Sequence, residues 1–432
     1  MKRLALLLLL AACAQPLRAQ WLGSVSIEQG YSDNMFSTAA RTPAASQDLS
    51  LQFGYFPDES PWAVNYSAAY STFSQYPDRS YFTHALGGSV GLPYSERNNV
   101  SLLASASMRV DREDYNVYDY RQGLASLGVK QYLADALYTQ AAYQLRYREY
   151  PNFGELSYLE HTFSLATMTF FETRTSIRLS GEFGLKNYSN SFTTTAPING
   201  FAPSTTSGLS IEGGGPGGGG PGGGGSGGGG TGGGNGGSGT GWGNGGTGRG
   251  MNERGGMGMD PGVEYIVYDE PTTTQLRASV NIGQGLSDYT GIALRVTQRW
   301  NLTDRGRAFV GGAVDMIGEE ELFDDPYSYD GTEATFTLTQ LLPWSMSAKA
   351  GLLYMLKNYP YAADLNNAAD SDLRDDTRMG AWLELSSNLL DEWLLFSGLE
   401  VTLQYSYLRN QSNTSWYDYS SHNIAVGIGT EF

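Results

Sequence analysis

One property of this chain narrows its folds more than any other: apolar residues recur at every second position, segment after segment. Leu49, Leu51, Phe53 and Tyr55 share one parity, as do Val64, Tyr66, Ala68 and Tyr70. Val100, Leu102, Ala104, Ala106, Met108 and Val110 form a longer set, and Ile177, Leu179, Gly181, Phe183 and Leu185 another. The pattern continues through Leu276–Ile282, Ile292–Val296 and Leu399–Tyr407. Ser, Thr, Gln, Arg, Lys, Glu and Gly fill most of the positions between. A period of two is a strand with one apolar face. A half-buried soluble sheet alternates too, so strand length and connections must decide. The segments run about 10–14 residues, beyond the usual mode of about 5–6. They suit the roughly 9–11 residues that a tilted strand needs to cross hydrocarbon.

The connections alternate short and long. Pro57–Pro61, Pro93–Arg97, Ala134–Ala136, Glu172–Arg174, Ser287–Thr290, Leu342–Ser345 and Asp391–Glu392 read as tight turns. Longer polar stretches lie between them. That rhythm predicts an all-β fold, a transmembrane antiparallel up-and-down β-barrel with short periplasmic turns and long external loops. Closure is required because lipid cannot satisfy an open sheet edge. The count is about 16 strands, with 14 and 18 as even neighbours. Ala308–Gly318 is assigned to a long external loop, Thr303–Gly331. A strand at Val263–Tyr268 would raise the count to 18 by the even-number rule.

Residues 1–19 read as a secretory signal. Lys2 and Arg3 precede an apolar run, Leu4–Ala14, too short to span a bilayer as a helix. Leu17-Arg18-Ala19 offers a cleavage site before Gln20. A second reading stands beside it: Leu10-Ala11-Ala12-Cys13 has the form of a lipoprotein box, with Cys13 as the lipidated residue. Residues 20–432 then form one barrel, whose first strand starts near Trp21 with almost no periplasmic segment before it. Within it, residues 190–270 form an external loop holding a glycine-rich tract, 213–256. Such a tract cannot bury a core and reads as a flexible, disordered spacer.

Composition removes several classes. A single cysteine forbids a disulfide framework or a cysteine-based metal site. A net charge of −17 argues against nucleic acid as a partner. The three histidines, His84, His161 and His422, all fall on the lipid-facing parity. A Ser-His-Asp hydrolase is therefore disfavoured; no enzyme, cofactor or metal site is expected. The acidic clusters Glu319-Glu320-Glu321, Asp324-Asp325 and Asp370, Asp372, Asp375, Asp376 read as solvated loops, with divalent-cation binding as the alternative.

Aromatics mark the expected strand ends: Tyr31, Tyr55, Trp62, Tyr147, Trp300, Trp344, Trp393 and Tyr407. They suit interfacial girdles. The opposite parity carries Arg109, Lys130, Arg146, Arg148, Arg178, Lys186, Arg277, Arg295, Arg299, Lys349 and Lys357. Its acidic residues are Asp111, Glu160, Glu182, Glu384 and Glu400. Each cation facing lipid at mid-bilayer would cost about 2–4 kcal/mol, so they belong inside. A basic lumen selects anions if it is open. The alternative is that these cations pair with lumenal carboxylates and fill a closed interior.

The last segment, Ile424-Ala425-Val426-Gly427-Ile428-Gly429-Thr430-Glu431-Phe432, resembles the terminal strand by which Gram-negative outer-membrane barrels are recognised. Phe432 would be the signal read by the barrel-assembly machinery. GYSDNMF (30–36), ELFDDPYSYDG (321–331) and LTQLLPW (338–344) resemble stretches of the β-barrel porin families of Gram-negative bacteria. The resemblance implies an outer-membrane location, contact with lipid and lipopolysaccharide, and a porin-like or export-associated role. The expected function is passive diffusion of small solutes, with anion preference. The alternatives are a non-catalytic barrel for export or assembly of a polysaccharide or surface protein, and a structural or adhesive surface protein.

Overall fold

A computed structural model describes residues 21–37, 39, 41–57, 60–189, 192–196, 264–268, 272–303, 325–363, 373–390, 398–414 and 417–432. Period-two segments become strands. In chain order they are β1 (Trp21–Ser32), β2 (Ala44–Tyr55), β3 (Trp62–Phe73), β4 (Tyr81–Pro93), β5 (Asn99–Asp111), β6 (Tyr120–Ala134), β7 (Leu137–Glu149), β8 (Tyr158–Phe170) and β9 (Thr175–Tyr188). There follow β10 (Phe192–Ala196), β11 (Glu264–Tyr268), β12 (Thr272–Gly285), β13 (Thr290–Asn301), β14 (Asp330–Leu342), β15 (Met346–Ala363), β16 (Leu373–Leu390), β17 (Gly398–Ser412) and β18 (Tyr419–Glu431).

Sixteen of them close one antiparallel barrel, each beside its chain neighbour, with β9 joined directly to β12 and β18 to β1. The closing seam runs from Ser24 opposite Glu431 to Ser32 opposite Asn423. Phe432 extends it by exchanging two backbone hydrogen bonds with Gly23, of 2.9 and 2.8 Å. Its ring stacks edge-on against Phe53 at 5.7 Å and lies over Gly23, where a Cβ would collide with it. Glycine at 23 thus lets the terminal ring lie over the seam that the two backbone bonds close.

The expected even count is met without the two short strands. A strand does form at Glu264–Tyr268, but it pairs only with β10 in a separate two-stranded sheet. The stretch Ala308–Gly318 and the glycine tract lie outside the described residues, as do the N-terminal signal, Cys13, Trp393 and the turn at Asp391.

Alternation sets the wall's two faces. Outward positions expose large apolar side chains, among them Ile27, Leu49, Leu86, Phe163, Leu352 and Ile428. In water such a surface would be an aggregation site; in lipid it is the solvated face. Among the described residues no helix is long and apolar enough to cross a membrane; the chain crosses with strands. Tyr31, Trp62, Tyr147, Trp300 and Trp344 are exposed near strand ends, as a girdle requires. Short turns gather at one end and long loops at the other, which orients the barrel with β1 rising toward the outside.

Buried side chains are concentrated at the loop end. One cluster joins Tyr118, Tyr150, Leu156, Tyr158 and Tyr188, and another Tyr329, Met355 and Tyr359. The molecule therefore has a packed external collar above a wall of small residues.

Candidate functional site

Below the collar the inward side chains are mostly Ser, Thr, Gly, Ala, Gln and Asn. Hydroxyls pair across strands: Ser26 with Ser50 at 2.6 Å, Ser180 with Ser279 at 2.6 Å, Ser347 with Ser386 at 2.7 Å. These residues remain half-exposed although they face inward. Cross-strand bonding satisfies part of their polar capacity, and the remainder faces open space rather than packed side chains.

The sequence places its eleven cations on this inner face, and the structure sorts them by partner. Arg109 makes a two-point contact with Asp111, Nε to Oδ2 and Nη2 to Oδ1, both 2.8 Å, and lies 3.9 Å over the Tyr81 ring. Arg146 faces Glu160 at 3.5 Å, Arg299 faces Glu333 at 3.4 Å, and Lys349 donates to Glu384 at 3.1 Å. Arg277 is paired with Glu182. Arg148 donates to Gln122 at 3.0 Å and to the Tyr150 hydroxyl at 3.2 Å. Lys130 sits between the rings of Tyr132 and Tyr138, and Lys357 lies 4.8 Å from that of Tyr329.

Arg178 and Arg295 differ from these. Both are exposed, and neither has a carboxylate partner among the described residues. Register places Asn281 of β12 directly between them, opposite Arg178 on β9 and opposite Arg295 on β13. They form a short cationic ladder on one stretch of wall. Two further acidic residues join the inner face: Glu28 and Asp48 stand opposite each other in register on β1 and β2. In the ring order, β1 and β2 lie seven and eight strands from β12, across the lumen from the ladder. Glu333, Asp376, Arg374 and Arg378 also belong to the inner set. Alternation could have found all six, since each lies on the parity opposite to an exposed apolar residue of its own strand, such as Ile27, Leu49, Phe336 or Met379.

The collar corrects the acidic-loop expectation. Asp325 is not solvated: it is 1% exposed and 3.2 Å from the Lys186 ammonium, itself 2% exposed. It also accepts from the Tyr188 hydroxyl and the Tyr327 backbone N–H. Asp375 and Asp376 are not in a loop but in β16, and buried Asp376 accepts from Arg374 Nε at 3.0 Å. In both places a cation on the inner face takes the carboxylate out of water. Asp370, Asp372, Asp324 and the three glutamates at 319–321 lie outside the described residues.

Residues 325–329 fold onto the inner wall as a 3-10 turn. Tyr327 is buried, and its hydroxyl donates to Glu160 of β8 at 2.8 Å. Its ring occupies the space above Gly184 of β9, where a Cβ would meet it. Gln275 of β12 donates to the Pro326 carbonyl. Burial, then the charge of Glu160, pushes the Tyr327 hydroxyl far above its ordinary range, so it remains a donor. Cations stack on the surrounding rings: Lys186 lies 4.0 Å from Tyr158, Arg148 4.5 Å from Tyr120, and Arg374 3.2 Å from Tyr417. Each such contact is worth about 0.5–2 kcal/mol, most where water is excluded. The collar thus narrows the external mouth on the β8–β9–β12 side.

The three histidines take outward positions, each bonded to a tyrosine hydroxyl on the neighbouring strand. None contributes to the inner face.

A closed sixteen-stranded wall, apolar outside and polar inside, is an outer-membrane β-barrel. Residues 291–432, from β13 to the chain end, match the family model "Surface lipoprotein assembly modifier". No curated protein matches the sequence. Among solved structures, a bacterial polysaccharide outer membrane secretin is similar at 9% identity, over 95% of this chain and 97% of that one, with a TM-score of 0.43. Pseudomonas aeruginosa OprD is similar at 9% identity, over 95% of each chain, with a TM-score of 0.44. OpdL from the same bacterium gives 9% identity over 96% and 98%, and a TM-score of 0.44.

Proposed function

We propose that the protein is a porin-like channel for passive diffusion of small solutes, with a preference for anions. One observation carries the preference: Arg178 and Arg295 reach the lumen without a carboxylate partner, while most other inner cations are neutralised or capped by rings. An unpaired guanidinium on a water-lined wall lowers the cost of admitting a carboxylate or phosphate and raises that of a cation. The acidic pair Glu28 and Asp48 lies on the opposite wall and nearer the external end, so a passing solute meets the acidic pair and the cationic ladder at different heights.

Current through single barrels in a planar bilayer, under a salt gradient, tests this. The expected reversal potential lies on the anion side for the native protein and moves to the cation side in R178E/R295E. Cation preference in the native barrel, or an unchanged potential in the double variant, would refute the role of the ladder.

The match over residues 291–432 favours a second reading, a non-catalytic barrel that assists surface lipoprotein assembly. Protease accessibility of surface lipoproteins, with and without the barrel, separates the two readings. Loss of surface display with R178E/R295E behaving as the native protein supports assembly. Unchanged display with altered permeability to small anions supports the channel.

A further inference from the structure

The chain has three histidines, and all three occupy one geometry. His84, His161 and His422 are each the fourth residue of a descending strand, β4, β8 and β18. Each Nδ1 lies near a tyrosine hydroxyl on the preceding ascending strand: Tyr66 at 2.9 Å, Tyr143 at 2.8 Å and Tyr405 at 3.0 Å. In register, His84 faces Ala68, His161 faces Leu145 and His422 faces Tyr407. The tyrosine is thus always two residues nearer the periplasm, on the same lipid-facing side. The three pairs sit four strands apart in ring order, β8 to β4 and β4 to β18.

A neutral imidazole has one N–H and a phenol has one O–H. Their mutual bond uses one of these two donors, whichever tautomer is present. Each pair therefore keeps one donor for a partner, and none of the three has a second protein partner among the described residues. In bare hydrocarbon an unused donor is costly. Depth resolves the cost: three residues of strand, at about 3.3 Å each and tilted about 40°, put the pairs roughly 8 Å below the external strand ends. That is the boundary between headgroups and acyl chains, where acceptor oxygens are dense and apolar neighbours one step deeper, Leu86, Phe163 and Ile424, still meet the chains.

We propose that the three Tyr–His pairs are hydrogen-bonding sites for the acyl carbonyl and phosphate oxygens of outer-leaflet lipopolysaccharide, fixing the barrel's depth in that leaflet. Lipopolysaccharide is the occupant because the pairs lie at the external end only, and its multiply acylated headgroup spans several strands. The inference is independent of what passes through the lumen.

The test compares thermal midpoints of the purified full-length barrel in bilayers of phospholipid alone and with lipopolysaccharide added. The native barrel should gain stability from lipopolysaccharide. H84F/H161F/H422F should keep less than half of that gain, with the phospholipid midpoint little changed. Because the sites are far apart, the single variants H84F, H161F and H422F should each remove about a third, which preserves the test if the triple variant does not fold. A full gain in the variants, or an equal fall in both bilayers, would overturn the proposal.

Discussion

Lys186 and Asp325 illustrate what a single inward residue does in this molecule. Both are nearly inaccessible, and each is the other's charge partner at 3.2 Å. Removing one leaves the other buried and uncompensated, which typically costs about 3–5 kcal/mol. D325N should therefore lower the barrel's unfolding temperature clearly, read as loss of the compact, heat-modifiable gel band. The rings of Tyr158, Tyr188 and Tyr327 around the ammonium soften the loss without replacing the carboxylate. Replacing both residues, K186M/D325L, should cost less than D325N alone, because no bare charge remains. If the double variant is the less stable of the two, the pair is contributing more than mutual neutralisation.

At the scale of elements, strands and collar differ in how far sequence reveals them. The wall is legible because a one-residue slip in any strand would turn cations such as Arg146, Arg277 and Arg295 toward lipid. Alternation, length and turn chemistry then agree on the same sixteen segments. The collar is not legible in this way. Parity says that Lys186 and Tyr188 face inward, but not that Asp325 returns across the chain to meet them. One signal was available: at the external ends of β7, β9 and β15 a basic residue stands two before a buried tyrosine, as Arg148 and Tyr150, Lys186 and Tyr188, Lys357 and Tyr359. A cation and a ring repeated on the polar parity near ascending-strand ends indicate a packed mouth. The 3-10 turn at Pro326–Ser328 is the part of that mouth set against the lumen. Truncating it with Y327A empties the space over Gly184 and should raise single-channel conductance. The reversal potential should hold, since Arg178 and Arg295 lie nearer the periplasmic end of their strands. Conductance unchanged in Y327A would mean that the limiting cross-section lies elsewhere.

For the molecule as a whole, stability and function are set by closure rather than by a central core. Every wall strand is paired on both edges, so the hydrogen-bond network is complete without the long insertion between β9 and β12. Those two strands pair directly from Thr272 opposite Asn187 to Gln284 opposite Thr175, whatever connects them. Loop closure costs only about 0.6 kcal/mol more for each doubling of length, so shortening the connection changes wall stability little. Deleting 213–256 should accordingly leave the unfolding temperature, conductance and reversal potential at native values. Surface adhesion measured on the same cells then isolates what the glycine tract itself contributes. A fall in conductance on deletion would place the tract in the permeation path, and a rise would show that it obstructs the mouth. Either change would move the tract from spacer to part of the channel, while leaving the β9–β12 seam intact as the reason the barrel still closes.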